Sequence, residues 1–199
     1  MKYFIYGLIV AFFSACGVKT MPPLEQYTIS VDQQPLRAQS SCQSKSIKIL
    51  QPVTTKEYMS DQIIYNVGAL EQNHYNNAIW SVAPYQNIYK VLVANIRQSG
   101  VFQTVLGYNS LSSSDYILEI EIEDFKQYFS SDLKHSYVKI ALVLSLVDRV
   151  KFQTLKQKRF FIQKEVSSLD VKGGVEALNE GFKELNKDIV LWLSGVCNE

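Results

Sequence analysis

The chain is poor in the residues that build metal centres. It holds two histidines and three cysteines in 199 residues. His74 and His135 stand far apart, with no cysteine near either, and neither a His-Glu-x-x-His nor a Cys-x-x-Cys spacing occurs. No metal site is expected. Glycine-rich phosphate loops are missing too. Gly173-Gly174 opens a helical stretch, but no Lys-Ser/Thr follows, which excludes ATP hydrolysis by a phosphate loop. Nine glycines and five prolines exclude a collagenous or low-complexity chain. An excess of charge of one sign is lacking: 20 Lys+Arg face 19 Asp+Glu. That balance excludes a polybasic nucleic-acid binder and an acidic tail protein. What is present is 47% hydrophobic and 12% aromatic residues, enough for one compact domain.

The one long apolar run stands at the front. Lys2 supplies a short positive segment, and Tyr3 to Phe13 is apolar. Eleven helical residues rise about 16 Å, roughly half the hydrocarbon thickness of a bilayer. The run is therefore a signal segment rather than a spanning helix. It ends in Phe13-Ser14-Ala15-Cys16-Gly17, which resembles a bacterial lipoprotein signal. Small residues suit a peptidase gripping extended backbone, and the Cys16 thiol can carry a thioether-linked diacylglycerol. The expectation is a signal peptide over 1–15, cleavage before Cys16, and N-acyl and S-diacylglycerol lipid on that residue. Several acyl chains, at about 0.8 kcal/mol per buried CH₂, make a durable anchor. Gly17 rather than Asp after the cysteine leans toward the periplasmic inner leaflet of the outer membrane, with the inner membrane as the alternative. Residues 16–23 form a short tether, kept extended by Pro22 and Pro23.

With Cys16 acylated, Cys42 and Cys197 remain. An even pair in an oxidising compartment suggests a disulfide tying the two ends of the domain. The alternative is two unrelated thiols, one on a frayed C-terminus.

Residues 24–199 read as a single periplasmic α+β domain. Strands are expected over 24–31, 46–50, 61–67 and 101–106, with 70–80 pairing back on 61–67 around Gly68. Pro84 opens a helix whose apolar stripe runs Tyr85, Ile88, Tyr89, Leu92, Val93 and Ile96, closed by Gly100. The clearest strand is 115–125: Leu118, Ile120 and Ile122 point one way, Glu119, Glu121 and Glu123 the other. A long apolar strand over 136–147 follows, then 155–166. If those strands adjoin 115–125, Lys156, Lys158 and Lys164 sit near the glutamate row. A second long helix spans 173–194, with Gly195 as its cap. The fold class is α+β: a mixed or mostly antiparallel sheet with two long helices on one face.

Chemistry is scarce. The serines at 110 and 112–114 lack the strand-turn-helix setting of a nucleophile elbow. Glu119, Glu121 and Glu123 at alternate positions line one strand face instead of converging on a cleft, so a solvated row or an interaction surface is favoured over acid–base catalysis. Lys151, Lys156, Lys158 and Arg159 form a local basic patch that reads as a solvated hairpin. The candidate partner surface is Glu119, Glu121, Glu123 and the aromatics Trp80 and Tyr85. No enzymatic activity is expected.

The order of features resembles the ABC-type transport auxiliary lipoproteins, the family of the paraquat-inducible intermembrane transport lipoprotein. The likeness rests on the signal and Cys16, Tyr27-Thr28-Ile29, the 46–52 strand ending in Pro52-Val53, and Glu57-Tyr58-Met59 before Gln62-Ile63-Ile64-Tyr65. It continues through Trp80, Pro84, Gly100-Val101-Phe102, Asp115-Tyr116, the hairpin and the final helix. This resemblance implies a fold similar to the amino-terminal domain of the TolB translocation protein, and a non-catalytic subunit. The implied partners are a mammalian-cell-entry (MCE) domain protein with its permease and ATPase, and a second copy of the chain in a homo-oligomer. The implied cargo is lipid or another apolar molecule moving between the two membranes. An assembly lipoprotein of a secretion or appendage machine, and a lipid-binding lipoprotein acting alone, stand as alternatives.

Overall fold

The computed structural model describes residues 23–30 and 36–198. The signal segment 1–15, the lipidation position Cys16 and tether residues 17–22 lie outside the described residues. In chain order the elements are β1 (Glu25–Tyr27), a 3-10 turn (Ser41–Ser44), β2 (Ser46–Ile49), β3 (Val53–Thr54), α1 (Lys56–Met59), β4 (Gln62–Val67) and β5 (Glu71–Trp80). Then come α2 (Pro84–Ser99), β6 (Thr104–Leu106), β7 (Tyr116–Phe129), β8 (Ser136–Asp148), β9 (Gln153–Glu165) and α3 (Val171–Asn198).

Strand β7 is the hub of one nine-stranded mixed sheet. Three short parallel strands share one of its edges: β2 along Tyr116–Leu118, β3 at Glu121–Ile122 and β4 at Gln127–Phe129. The other edge pairs antiparallel with β8 over its whole length, and β8 with β9. Beyond β4 lie β5 and β1; beyond β2 lies β6. The long pairs are antiparallel hairpins, and the short ones are parallel crossovers.

The alternation read over 115–125 holds to Ile122 and then shifts. A bulge at Glu123 leaves Ile122 opposite Leu142 and Asp124 opposite Ala141. Even-numbered residues point inward before it, and odd-numbered Phe125, Gln127 and Phe129 after it. On β8, Val138, Ile140, Leu142, Leu144 and Leu146 are all buried, as their spacing predicts.

Helices α2 and α3 pack on this inward face and on each other, joined by Asn95 Nδ2 donating to Asn186 Oδ1 at 2.9 Å. Pro84 takes the first turn of α2, and Gly100 closes it with a φ of 71°. In α3 the stripe Val175, Leu178, Phe182, Leu185 and Ile189 is buried. Phe182 meets Phe125 edge-on at 6.1 Å. Burying such a phenylalanine stabilises by about 2–3 kcal/mol. The helix begins where Asp170 Oδ1 accepts from Gly173 N at 2.8 Å. Its start lies so close to β7 that a Cβ on Gly174 would stand 2.0 Å from Gln127 Oε1.

Gly195 does not cap α3. The helix runs through it to Asn198. The glycine costs about 1 kcal/mol in a helix interior, and the turn it extends brings Cys197 to Cys42. The two cysteines form a disulfide across 155 residues, with Cα atoms 5.6 Å apart. Closing so long a loop contributes on the order of 5 kcal/mol in the chain-entropy picture. Two elements escaped the sequence pattern, β3 and α1, both too short to show a period. The first strand is also shorter than expected: of 24–31 only Glu25–Tyr27 is strand, and the last expected residue, Val31, lies outside the described residues.

Candidate functional site: the open face of the sheet

Among the described residues the outward face of β7, β8 and β9 carries no long helix; only the single-turn α1 lies against it, at Asp124 and Lys126, and the residues of the open part follow from the register. Glu119 pairs with Ser145, and Ser145 with Gln157; Glu121 pairs with Val143, and Val143 with Arg159. Glu119, Glu121 and Glu123 are exposed together on this face, as the alternation predicts. Strand β3 and the Leu50–Gln51 segment wall one side. They enclose a groove of about 390 Å³ with Glu119, Glu121, Val143, Ser145 and Gln157 along its other lining. Val53 stands 69% exposed on the rim. The groove is therefore acidic and partly apolar.

The lysines expected beside the glutamates are elsewhere. Strand β8 separates β9 from β7, and Lys156, Lys158 and Lys164 pair with the inward residues Leu146, Leu144 and Val138. Parity puts all three on the helix side. There Lys164 bonds Glu184 of α3, and Lys158 Nζ lies 4.8 Å from the Phe160 ring centroid. The cation that reaches the row is Arg159, whose Nε donates to Glu123. Its guanidinium also lies 5.4 Å from the Phe161 ring, itself half exposed.

Past the bulge the same face turns aromatic and cationic. Tyr128 and Tyr137, paired across the hairpin, stack with centroids 5.5 Å apart and planes 6° from parallel. Lys139 Nζ lies 4.6 Å from the Tyr128 centroid and 5.3 Å from that of Tyr137. Asp124 sits under this layer and accepts from Tyr128 Oη at 2.6 Å and from Tyr58 Oη of α1 at 3.2 Å. Lys126, also buried, reaches Glu57 at 3.4 Å and Gln72 at 3.2 Å. Burial raises the Asp124 carboxyl above the usual carboxylate range, opposed by the Tyr128 hydroxyl and Lys126. Burial likewise pushes both tyrosine hydroxyls far up. Asn66, beside Tyr128 in the register, keeps a buried side-chain oxygen without a hydrogen-bond partner. This network clamps α1 to the sheet. It holds no nucleophile activated by a neighbouring base.

The predicted aromatics do not join the row. Trp80 is 2% exposed and packs on Phe125 in the core. Tyr85 lies half buried at the start of α2, its hydroxyl accepting from Gln86 Nε2. His74 lies exposed on β5, and His135 in the turn before β8, where its N–H donates to Ser130 Oγ. Among the described residues no group of three His, Cys, Asp or Glu could hold a metal ion. None of the helices described is long and apolar enough to cross a membrane. Sequence reasoning missed Tyr58, Asp124, Lys126, Tyr137 and Lys139. The stacked pair was within reach: Tyr128 and Tyr137 stand symmetrically about the 130–135 turn.

The model of a family described as the ABC-type transport auxiliary lipoprotein component matches residues 27–190. The fold recurs in solved structures. A crystal structure of a protein from Xanthomonas campestris is similar with a TM-score of 0.77 at 19% identity, covering 86% of this chain and 95% of that one. A second crystal structure, of an uncharacterised protein, gives 0.67 at 17% identity, covering 87% of this chain and 100% of that one. A hypothetical protein from Chlamydia trachomatis gives 0.51 at 11% identity over 78% of this chain and 99% of its own. No curated protein matches this chain.

Proposed function

We propose, for a chain that belongs to the ABC-type transport auxiliary lipoprotein component family, that it is a non-catalytic periplasmic subunit anchored to a membrane through lipid on Cys16. In this reading it docks an MCE-domain protein that works with a permease and an ATPase. The machine moves lipid or another apolar molecule between the inner and outer membranes. Energy comes from the ATPase, and this subunit supplies position.

The observation that carries the reading is the asymmetry of the sheet. One face is filled by two long helices, while the other carries only the single turn of α1 and presents an acidic, partly apolar groove at one end and a stacked tyrosine pair toward the other. Surfaces of this kind, aromatic and rimmed by charge, suit protein partners. The groove is open, and Glu119, Glu121, Ser145 and Gln157 in its lining suit a protein surface better than an acyl chain, which favours docking over carriage by this subunit alone.

The test is a mild-detergent pull-down of the lipidated protein from its own membranes, with mass spectrometry of partners and lipid. An MCE-domain protein with permease and ATPase in the eluate supports the proposal. A secretin or appendage subunit would replace it with an assembly role. A monomer carrying stoichiometric lipid would replace it with a lone carrier.

A further inference from the structure

Three loops at one end of the molecule each display a leucine. Leu70 in the β4–β5 turn is 96% exposed, Leu133 in the β7–β8 turn 55%, and Leu169 before α3 50%. The register puts all three at the same end. Val67 lies level with Phe129, Phe129 pairs with Ser136, and Val166 N donates to Ser136 O at 3.3 Å. Two of these loops touch, since a Cβ on Gly68 would lie 2.8 Å from Ser131 Oγ. The two aspartates of these loops, Asp132 and Asp170, are held by the loops themselves. Asp132 accepts from Ser130 Oγ and Lys134 N, and Asp170 from Ser168 Oγ and Gly173 N. Leu133 has a φ of 57°, a conformation that suits glycine or asparagine better, so the turn keeps a large apolar side chain where a small one would be less strained.

An equally apolar tip lies at the opposite end, where Val150 and Phe152 of the β8–β9 turn are 79% and 88% exposed. The length of the tether distinguishes the two. Seven peptide units separate Cys16 from Pro23, and fully extended they span at most about 25 Å. Pro23 stands two residues before Glu25, which lies beside Ala78 in the part of β5 that adjoins β4. Gln62 pairs with Ile79 and lies five residues from Val67, which puts that level about 15 Å from the leucine loops. The Val150–Phe152 turn is about 30 Å away along the strands and about 19 Å across them. The tether reaches the first end and falls short of the second. The exposed β5 residues between are polar, Glu71, Gln72, Asn73, His74, Asn76 and Asn77, while Tyr75 is half buried against Tyr65 with its hydroxyl donating to Gln127 Oε1.

We infer that Leu70, Leu133 and Leu169 form a bilayer-contacting end, which rests on the lipid surface into which Cys16 is anchored and holds the strands upright on it. The inference rests on the Cys16 anchor of the proposed function. It adds an orientation: the Phe152 turn points away from that membrane, and the open face stands side-on to it. The contact is apolar, since the charged side chains of these loops are mixed in sign.

The experiment uses the full chain, expressed with its signal and acylated, in vesicles of phosphatidylethanolamine and phosphatidylglycerol. Leu70→Cys, Leu133→Cys, Leu169→Cys and Phe152→Cys are labelled one at a time with an environment-sensitive fluorophore. Mass spectrometry of the N-terminal peptide reports acylation, and flotation reports vesicle attachment. The expected result is a blue-shifted emission at 70, 133 and 169, quenched at least threefold more by lipid-borne spin label than at 152. Acylated, floating protein with all three loop probes in water, or with the 152 probe quenched as strongly, overturns the orientation and leaves the anchor standing. Protein lacking acyl chains on Cys16 overturns the anchor, and the orientation with it.

Discussion

The two faces of β7 solve opposite problems within one strand. Its inward side, Leu118, Ile120, Ile122 and Phe125, meets two helices and keeps almost no accessible surface. Its outward side, Glu119, Glu121 and Glu123, meets water, one arginine and a groove. The difference teaches which substitutions should unfold the protein and which should only blind it. Contacts on the inward side are many, dry and non-directional, so their loss is felt globally. Those on the outward side are few, screened and local, so their loss should spare the fold.

The largest expected effect is on the inward side. Phe182→Ala empties the contact with Phe125 and should cost about 3–5 kcal/mol of unfolding free energy by urea titration. A loss below about 1 kcal/mol would mean that α3 is not the main cover of the sheet. Next comes the staple beneath that helix. Cys42→Ser combined with Cys197→Ser should cost about 2–5 kcal/mol, and reductant should lower the melting temperature of the native protein but not of the variant. Gly174→Ala tests the closest approach of helix to sheet. The added methyl must displace Gln127 from its bonds to Tyr75 and Ser136, at an expected cost of about 1–3 kcal/mol.

A smaller effect separates the two halves of the outward face. Asp124 is an acid whose folded-state ionisation is disfavoured by burial. Its neutral form is therefore the better-accommodated one. The stability it contributes is fully present below about pH 4, its unfolded range, and is lost as pH rises through its raised folded value. Denaturant titrations across that window should show the decline in the native protein and a flatter profile in Asp124→Asn. Identical profiles would place the carboxyl's burial in doubt. The smallest effect on stability belongs to Glu119→Lys with Glu121→Lys, expected to shift unfolding by no more than about 0.5 kcal/mol. The same pair should remove the docking partner from the pull-down. Retention of the partner would move the docking surface off the groove.

Much of the fold was legible because long elements carry long periods. The stripe of α2 and the alternations of β7 and β8 appear where the spacing predicts them. The bulge at Glu123 was not legible, since Glu-Asp at that point suits either parity. Short elements hid for a related reason: four residues of α1 contain barely one turn, and Tyr58 is buried by what α1 docks on rather than by its own pattern. The glutamate row was readable as a row. Its surroundings were not, because they depend on which strand lies beside which.

The sequence by itself determined the long elements, the apolar stripe of each long helix and the two cysteines left to pair, all set by local period and count. Tertiary structure alone decided that β8 lies between β7 and β9, so that Arg159 and not the lysines meets the glutamates. It also decided that Trp80 is core, that α3 outruns its glycine to reach Cys42, and that three leucines from distant turns gather at one end. Each of these depends on register between segments far apart in the chain. Register is fixed by the sum of burial over a whole face, which no local run of residues contains.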